Sequence, residues 1–365
     1  MLLYKLKSVT THSGREDLIS RISFFSVVCA AMVVGIHVTG TQEPLTSIWW
    51  WRRLISNGLF LVAVPFFFVA SGFFLAKHFS EPEWYVKECK KRVRSIIVPY
   101  ILLSAVYVIL ECGIVVGANI LHNRDLLSGI SMSWKFWVKG FGLNPFDYPL
   151  VVPLWYLRTL IIFVLISPIL KFLGDKIGML RFLLLIYISG LLVVFLQDGK
   201  LYLFVRHTFR LFELSFFMLG IVMRVKSYTL QINGRKISYL SLLCASIILF
   251  ASTCFCDEMS RMFYFTRMMF VPLFLFAAWN LLPTVKLPQY LLSVTFPIFL
   301  LHCLTWKICY IVGTIFHLHF SPFFNPQSIH LWLIKWLVGF AGSILVAMAL
   351  RGFFPKFSKL LFGGR

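Results

Sequence analysis

The feature that most constrains this chain is its run of apolar stretches, each about as long as a bilayer is thick. Ten of them, approximately 22–40, 57–76, 96–117, 152–173, 179–196, 208–224, 238–256, 262–282, 289–316 and 328–350, read as membrane-spanning helices. Crossing the hydrocarbon core takes roughly 20 residues at about 1.5 Å of rise each. The sixth stretch is interrupted by Arg210 and Glu213, and the ninth is long enough to tilt or break near Lys307. Between the stretches the loops are short, except for residues 119–151. The expected fold is therefore all-α, a polytopic membrane bundle of about ten helices. Composition excludes the alternatives: 59% of residues are apolar, 13% are charged, and the 39 Phe outnumber all acidic or all basic residues. No soluble globule could hide that much apolar surface, and no disordered chain could avoid collapsing around it.

A net charge of +21 would ordinarily suggest nucleic acid. Its distribution says otherwise. With the N-terminus in the cytoplasm, 22 of the 35 Lys and Arg fall in inner segments and 10 in outer loops. That bias is the positive-inside pattern, and it predicts N-in and C-in with an even number of spans. The expected organisation is a cytoplasmic segment 1–21, a membrane domain 22–350 and a basic cytoplasmic tail 351–365. The first apolar run lacks a small-residue cleavage site and reads as a retained helix rather than a signal peptide. The eight Cys lie mostly in apolar runs without a CxxC pair, so they read as small core hydrophobes. No phosphate-binding, dinucleotide-binding or hydrolase-elbow motif is present. The outer loop 119–151 carries Trp134, Trp137, Phe141 and Tyr148, which suit either an interfacial anchor or the cover of a carbohydrate site.

Ionisable groups inside spanning helices are costly unless paired or wet, so they carry the functional reading. His37 lies about 15 residues into the first run, some 22 Å of rise from its start. An imidazole there suits general-base work on a hydroxyl, or bonding to a neighbouring helix. His302 lies mid-run, where it could assist the first histidine, bind substrate or bridge helices. Ser71 and Gly72 form a small pair in an aromatic helix; packing fits them better than a nucleophile, because no base adjoins Ser71. Lys87 to Tyr100 enters the third run from the cytoplasm, and its Lys91, Arg92 and Arg94 suit either phosphates or lipid headgroups. Trp155, Tyr156 and Arg158 open the fourth run. Arg158 needs a counter-charge, and Glu111 is one candidate. Arg210 and Glu213, three apart, suit a structural pair on one face. His317, His319 and His330 include an H-x-H spacing, which is weak support for a metal; no metal site is expected.

In this order the segments resemble the acyltransferase-3 family. MVVGIH ending at His37 resembles its opening helix, and VPFFFVASGF its second-helix signature ending in Ser71 and Gly72. KKRVRSIIVPY resembles its basic run leading to Pro-Tyr, with Arg92 on the first Arg of RxxR. PLWYLR resembles its fourth-helix start, and LSVTFPIFLLH, with His302, its late histidine helix. The resemblance covers about residues 20–350. Two positions depart: Ser26 stands where the family has an arginine eleven residues before the histidine, and Ser95 stands on the second Arg of RxxR.

The resemblance implies a bacterial inner-membrane O-acyltransferase with no tightly bound cofactor. It would use acyl-CoA, most simply acetyl-CoA, to O-acylate a cell-surface or lipid-linked glycan. His37 and His302 would be catalytic, and Lys91, Arg92 and Arg94 would hold the donor. Ser71, Glu111, Trp155, Tyr156 and Arg158 would contact substrate or a developing oxyanion. The expected partners are acyl-CoA, a glycan and the bilayer, not nucleic acid. A glycan transporter or flippase, or an inactive family member, is the competing reading.

Overall fold

The computed structural model describes residues 12–38, 46–121, 134–144, 148–195, 210–226, 235–257, 260–283, 285–315 and 325–364. Among these no strand occurs. The helices are α1 His12–Ile36, α2 Ser47–Trp51, α3 Ala63–Leu75, α4 Trp84–Arg92, α5 Val98–Leu121, α6 Trp134–Gly140, α7 Trp155–Leu165 and α8 Ser167–Ile177. They continue with α9 Met179–Val193, α10 Leu211–Val225, α11 Arg235–Phe255, α12 Arg261–Leu281, α13 Gln289–Ile315, α14 Ile329–Phe353 and α15 Pro355–Leu361. Each of the ten apolar stretches falls on a helix. Among the described residues, seven helical stretches are long and apolar enough to cross a membrane. An eighth is added when α7 and α8, bent by 57° across Ile166, count as one span. The stretches 179–196 and 208–224 supply helices of only 15 residues each, short of the roughly 20 a span needs. The described residues thus show seven or eight such spans where the sequence suggests about ten.

Helix faces follow from the absence of water. Large apolar side chains such as Ile109, Leu192, Leu240, Phe250, Leu337 and Leu345 are exposed on the outside of the bundle, where lipid rather than water meets them. Close association inside relies on small residues. Gly72 on α3 and Gly220 on α10 face each other reciprocally. A Cβ at Gly72 would stand 2.0 Å from the Phe217 carbonyl oxygen, and one at Gly220 would stand 2.0 Å from that of Val69. The Gly72 half of the Ser-Gly pair is thus a packing residue. α13 packs on α14 and on α1, and α11 packs on α12.

Two local expectations are corrected. α13 is unbroken at Lys307, because the ammonium is neutralised by Glu111 of α5 at 2.8 Å. His37 is outside the first helix, which ends at Ile36, and stands in the turn beyond it. Residues 12–21 already belong to α1. At the other end, α15 lies against α5, with Leu361 and Phe362 buried.

Candidate active site

Two cavities lie along α1, one beside its middle and one at its C-terminal end. The first, about 290 Å³, is lined by Ser26 of α1, Ser71 of α3, Arg92 at the end of α4, Tyr156 of α7 and Phe296 and Phe299 of α13. The second, about 300 Å³, is lined by His37, Trp155, Tyr148, Arg210, Glu213 and Arg267, among others. Ser26 and Ile36 are separated by about 15 Å of helical rise. The adjacent residues Trp155 and Tyr156 therefore serve different chambers.

Between the chambers sits a polar seam. Tyr156 and Ser71 share a hydrogen bond of 2.9 Å, and the Tyr156 hydroxyl also donates to the Phe67 carbonyl at 3.3 Å. Phe299 lines the first cavity, packs against Tyr156, and lies one turn before His302. His302 is fully buried, and its ring stacks on that of His37 with centroids 5.2 Å apart. Its Nδ1 is 3.1 Å from the Ile298 carbonyl oxygen. A carbonyl only accepts, so Nδ1 carries the proton and Nε2 presents a lone pair. Nε2 has no partner among the described residues. Trp306 closes the far edge of the ring at 5.6 Å.

The basic run divides by face. A π-helical turn, Val93–Ile97, joins α4 to α5. Arg92 and Ile96 both reach the first cavity, whereas Lys91 and Arg94 are exposed away from it. Arg92 Nε and Lys91 Nζ each meet the buried Glu88 carboxylate at 3.2 Å. Ser95 is buried against the C-terminal turn. Gly363 (φ +67°) approaches so closely that a Cβ there would be 2.7 Å from the Ser95 Cα. Ser26, the other departure, faces the first cavity, with its hydroxyl donated to the Ile22 carbonyl at 2.7 Å.

Arg158 does not pair with Glu111. Its Nη1 donates to the Gly142 and Asn144 carbonyls, at 3.0 and 2.9 Å, which ties α7 to the segment after α6. Glu111 is engaged by Lys307 instead. Neither lines the two cavities.

The sequence did not single out Arg267 or Tyr264 as site residues; it offered Tyr148 only with the outer-loop aromatics, as an anchor or a carbohydrate cover, and it read Arg210 and Glu213 as a structural pair. The two do meet, at 3.5 Å. Arg210 is not inside a helix, however; it caps α10 with a left-handed backbone, φ +41°. The legible signals were the polar interruption of the sixth apolar run and the aromatic outer loop that ends with Tyr148. His317 and His319 lie outside the described residues, and His330 is exposed at the start of α14.

The family model of the acyltransferase-3 type, described as an acyltransferase domain, matches residues 22–352. This chain belongs to the acyltransferase-3 family. It is also similar to the succinoglycan biosynthesis protein ExoH of Rhizobium meliloti (strain 1021), 23% identical over 168 residues. That match covers 43% of this chain and 43% of the relative. No solved structure matches the chain. The chain thus carries the family's acyltransferase domain on helices long and apolar enough to cross a membrane.

Proposed function

We propose that this acyltransferase moves an acyl group, most simply acetyl, from acyl-CoA to a hydroxyl of a polysaccharide or lipid-linked glycan in a bacterial cytoplasmic membrane. The observation that carries the reading is the pair of chambers along α1, one beside its middle and one at its C-terminal end, separated by the histidine and tyrosine seam. With the N-terminus in the cytoplasm, as the charge bias suggests, the first chamber is the nearer of the two to the acyl-CoA pool. In this reading Arg92 attracts the donor's phosphates at the mouth of the first chamber, and the thioester reaches inward along Ser71 and Tyr156. Lys91 and Arg94 act only from the surface. The glycan enters the second chamber, beside His37. Family membership and the relative's role in succinoglycan biosynthesis support an acyl donor and a polysaccharide acceptor.

The chemistry follows from the groups available. A sugar hydroxyl gives its proton to the His37 imidazole as its oxygen bonds to the thioester carbonyl carbon. The resulting oxyanion is stabilised by the Tyr156 hydroxyl, whose one proton turns to it from the Phe67 carbonyl. The C–S bond then breaks, and the CoA thiolate takes the proton back from His37. His302 acts as a positioning residue, stacked behind His37 with its own proton committed to Ile298.

His37→Ala should abolish glycan acylation in purified protein at unchanged protein level. The expected loss is about 10²–10⁴-fold in kcat, the usual worth of a positioned general base. Undiminished acylation in that variant overturns the assignment. Movement of the glycan across vesicles without consumption of thioester would establish transport instead.

A further inference from the structure

The second chamber contains more cationic hydrogen-bonding capacity than the protein itself uses. Arg210 is 7% exposed, and its guanidinium is stacked on Trp155, with the Cζ 3.8 Å from the ring centroid and 5.5 Å from that of Tyr148. One of its Nη atoms meets Glu213 at 3.5 Å. Its Nε and other Nη are buried and have no hydrogen-bond partner among the described residues; the same is true of Arg267 Nε in the same chamber. Unspent buried donors on a charged group cost stability unless something binds them. The backbone of Arg210 is held in a conformation that non-glycine residues rarely adopt, which is characteristic of functional positions.

We infer that this chamber binds a sugar carrying a carboxylate, which Arg210 and Arg267 hold while Trp155, Tyr148 and Tyr264 face the sugar rings. Among the described lining residues, two arginines and Glu213 leave one net positive charge, which matches a monoanion rather than a doubly charged phosphate. Guanidinium forks also suit the planar carboxylate. Aromatic walls suit the apolar faces of pyranose rings. With His37 on the same chamber wall, the acidic sugar would fix which neighbouring hydroxyl is acylated. The inference rests on the proposed glycan acceptor, and it adds the acceptor's chemical class.

The test is binding without an acyl donor, so that its result is independent of whether transfer occurs. Full-length protein in lipid nanodiscs is titrated calorimetrically with cellobiouronate, with neutral cellobiose, and with cellobiose carrying a phosphomonoester. The wild type should bind cellobiouronate at least about tenfold more tightly than cellobiose, as charge-assisted hydrogen bonds to a buried anion predict. Arg210→Gln and Arg267→Gln should each remove that preference while leaving cellobiose affinity within about twofold. Arg267→Gln carries the test alone should Arg210→Gln fail to fold. Equal or absent binding of the two saccharides by wild type overturns the inference. So does tighter binding of the phosphorylated sugar, or a carboxylate preference that survives in folded variants.

Discussion

Lys307 and Glu111 show what a single pair of side chains has to do inside a bilayer. Each alone would leave a charge against hydrocarbon; together, 2.8 Å apart, they join α13 to α5. Lys307→Met should therefore destabilise the protein by roughly 2.5–3.5 kcal/mol, the cost of a lone charge near a helix centre, reduced by the partial exposure of Glu111. The double variant Lys307→Met/Glu111→Met should recover most of the loss, and thermal unfolding in one detergent measures both. Equal losses in the single and double variants would contradict the pairing. The two departures from the family pattern separate at this scale as well. Ser26 borders an open cavity beside Arg92, so Ser26→Arg should leave the unfolding temperature nearly unchanged. Ser95 lies under the C-terminal turn, so Ser95→Arg should cost about 1–3 kcal/mol by overpacking and expose residues after Pro355 to protease. A wild-type digestion pattern in a stable Ser95→Arg protein would count against this.

Between elements, the tightest constraint is the α3–α10 crossing. Gly72 and Gly220 place backbone against backbone, so neither position offers a flexible side chain that could move aside. Gly72→Ala and Gly220→Ala should each lower stability by about 1–3 kcal/mol and reduce the yield of folded protein from membranes. Yield and unfolding temperature at wild-type levels would show that the two helices are not held this close. The same crossing fixes Ser71 one residue away, toward Tyr156 and the first chamber. The π-helical turn at Val93–Ile97 falls within the basic run. Arg94 lies within it, whereas Lys91 and Arg92 precede it and diverge by the ordinary step of about 100° per residue in α4, so only Arg92 reaches the cavity. Positions that are equivalent by charge in the sequence are therefore separated by helical phase.

For the whole molecule, the arrangement of charge and of short helices makes one statement about topology. Among the described residues, eight spans, with α7 and α8 as one bent crossing, agree with the N-in, C-in orientation that the charge bias predicts, whereas seven would put the termini on opposite sides. Reporter fusions at residue 11 and after Arg365 should both report the cytoplasm, and a fusion in the 122–133 segment the opposite side. A periplasmic signal from either terminus would overturn the topology and, with it, the entry side proposed for acyl-CoA.

The sequence by itself determined the membrane character, the all-helical class and the family. Each rests on information local along the chain: the length of apolar runs, the bias of Lys and Arg, and short ordered segments such as the one ending at His37. Only the tertiary structure decided the partners. Arg158 binds loop carbonyls and Glu111 binds Lys307, while Arg210 and Arg267 meet in one chamber beside His37. A charge in a bilayer must find some partner, but hydropathy does not encode which helix supplies it. That choice is made by helix crossings and backbone register, in which residues far apart in the chain take part together.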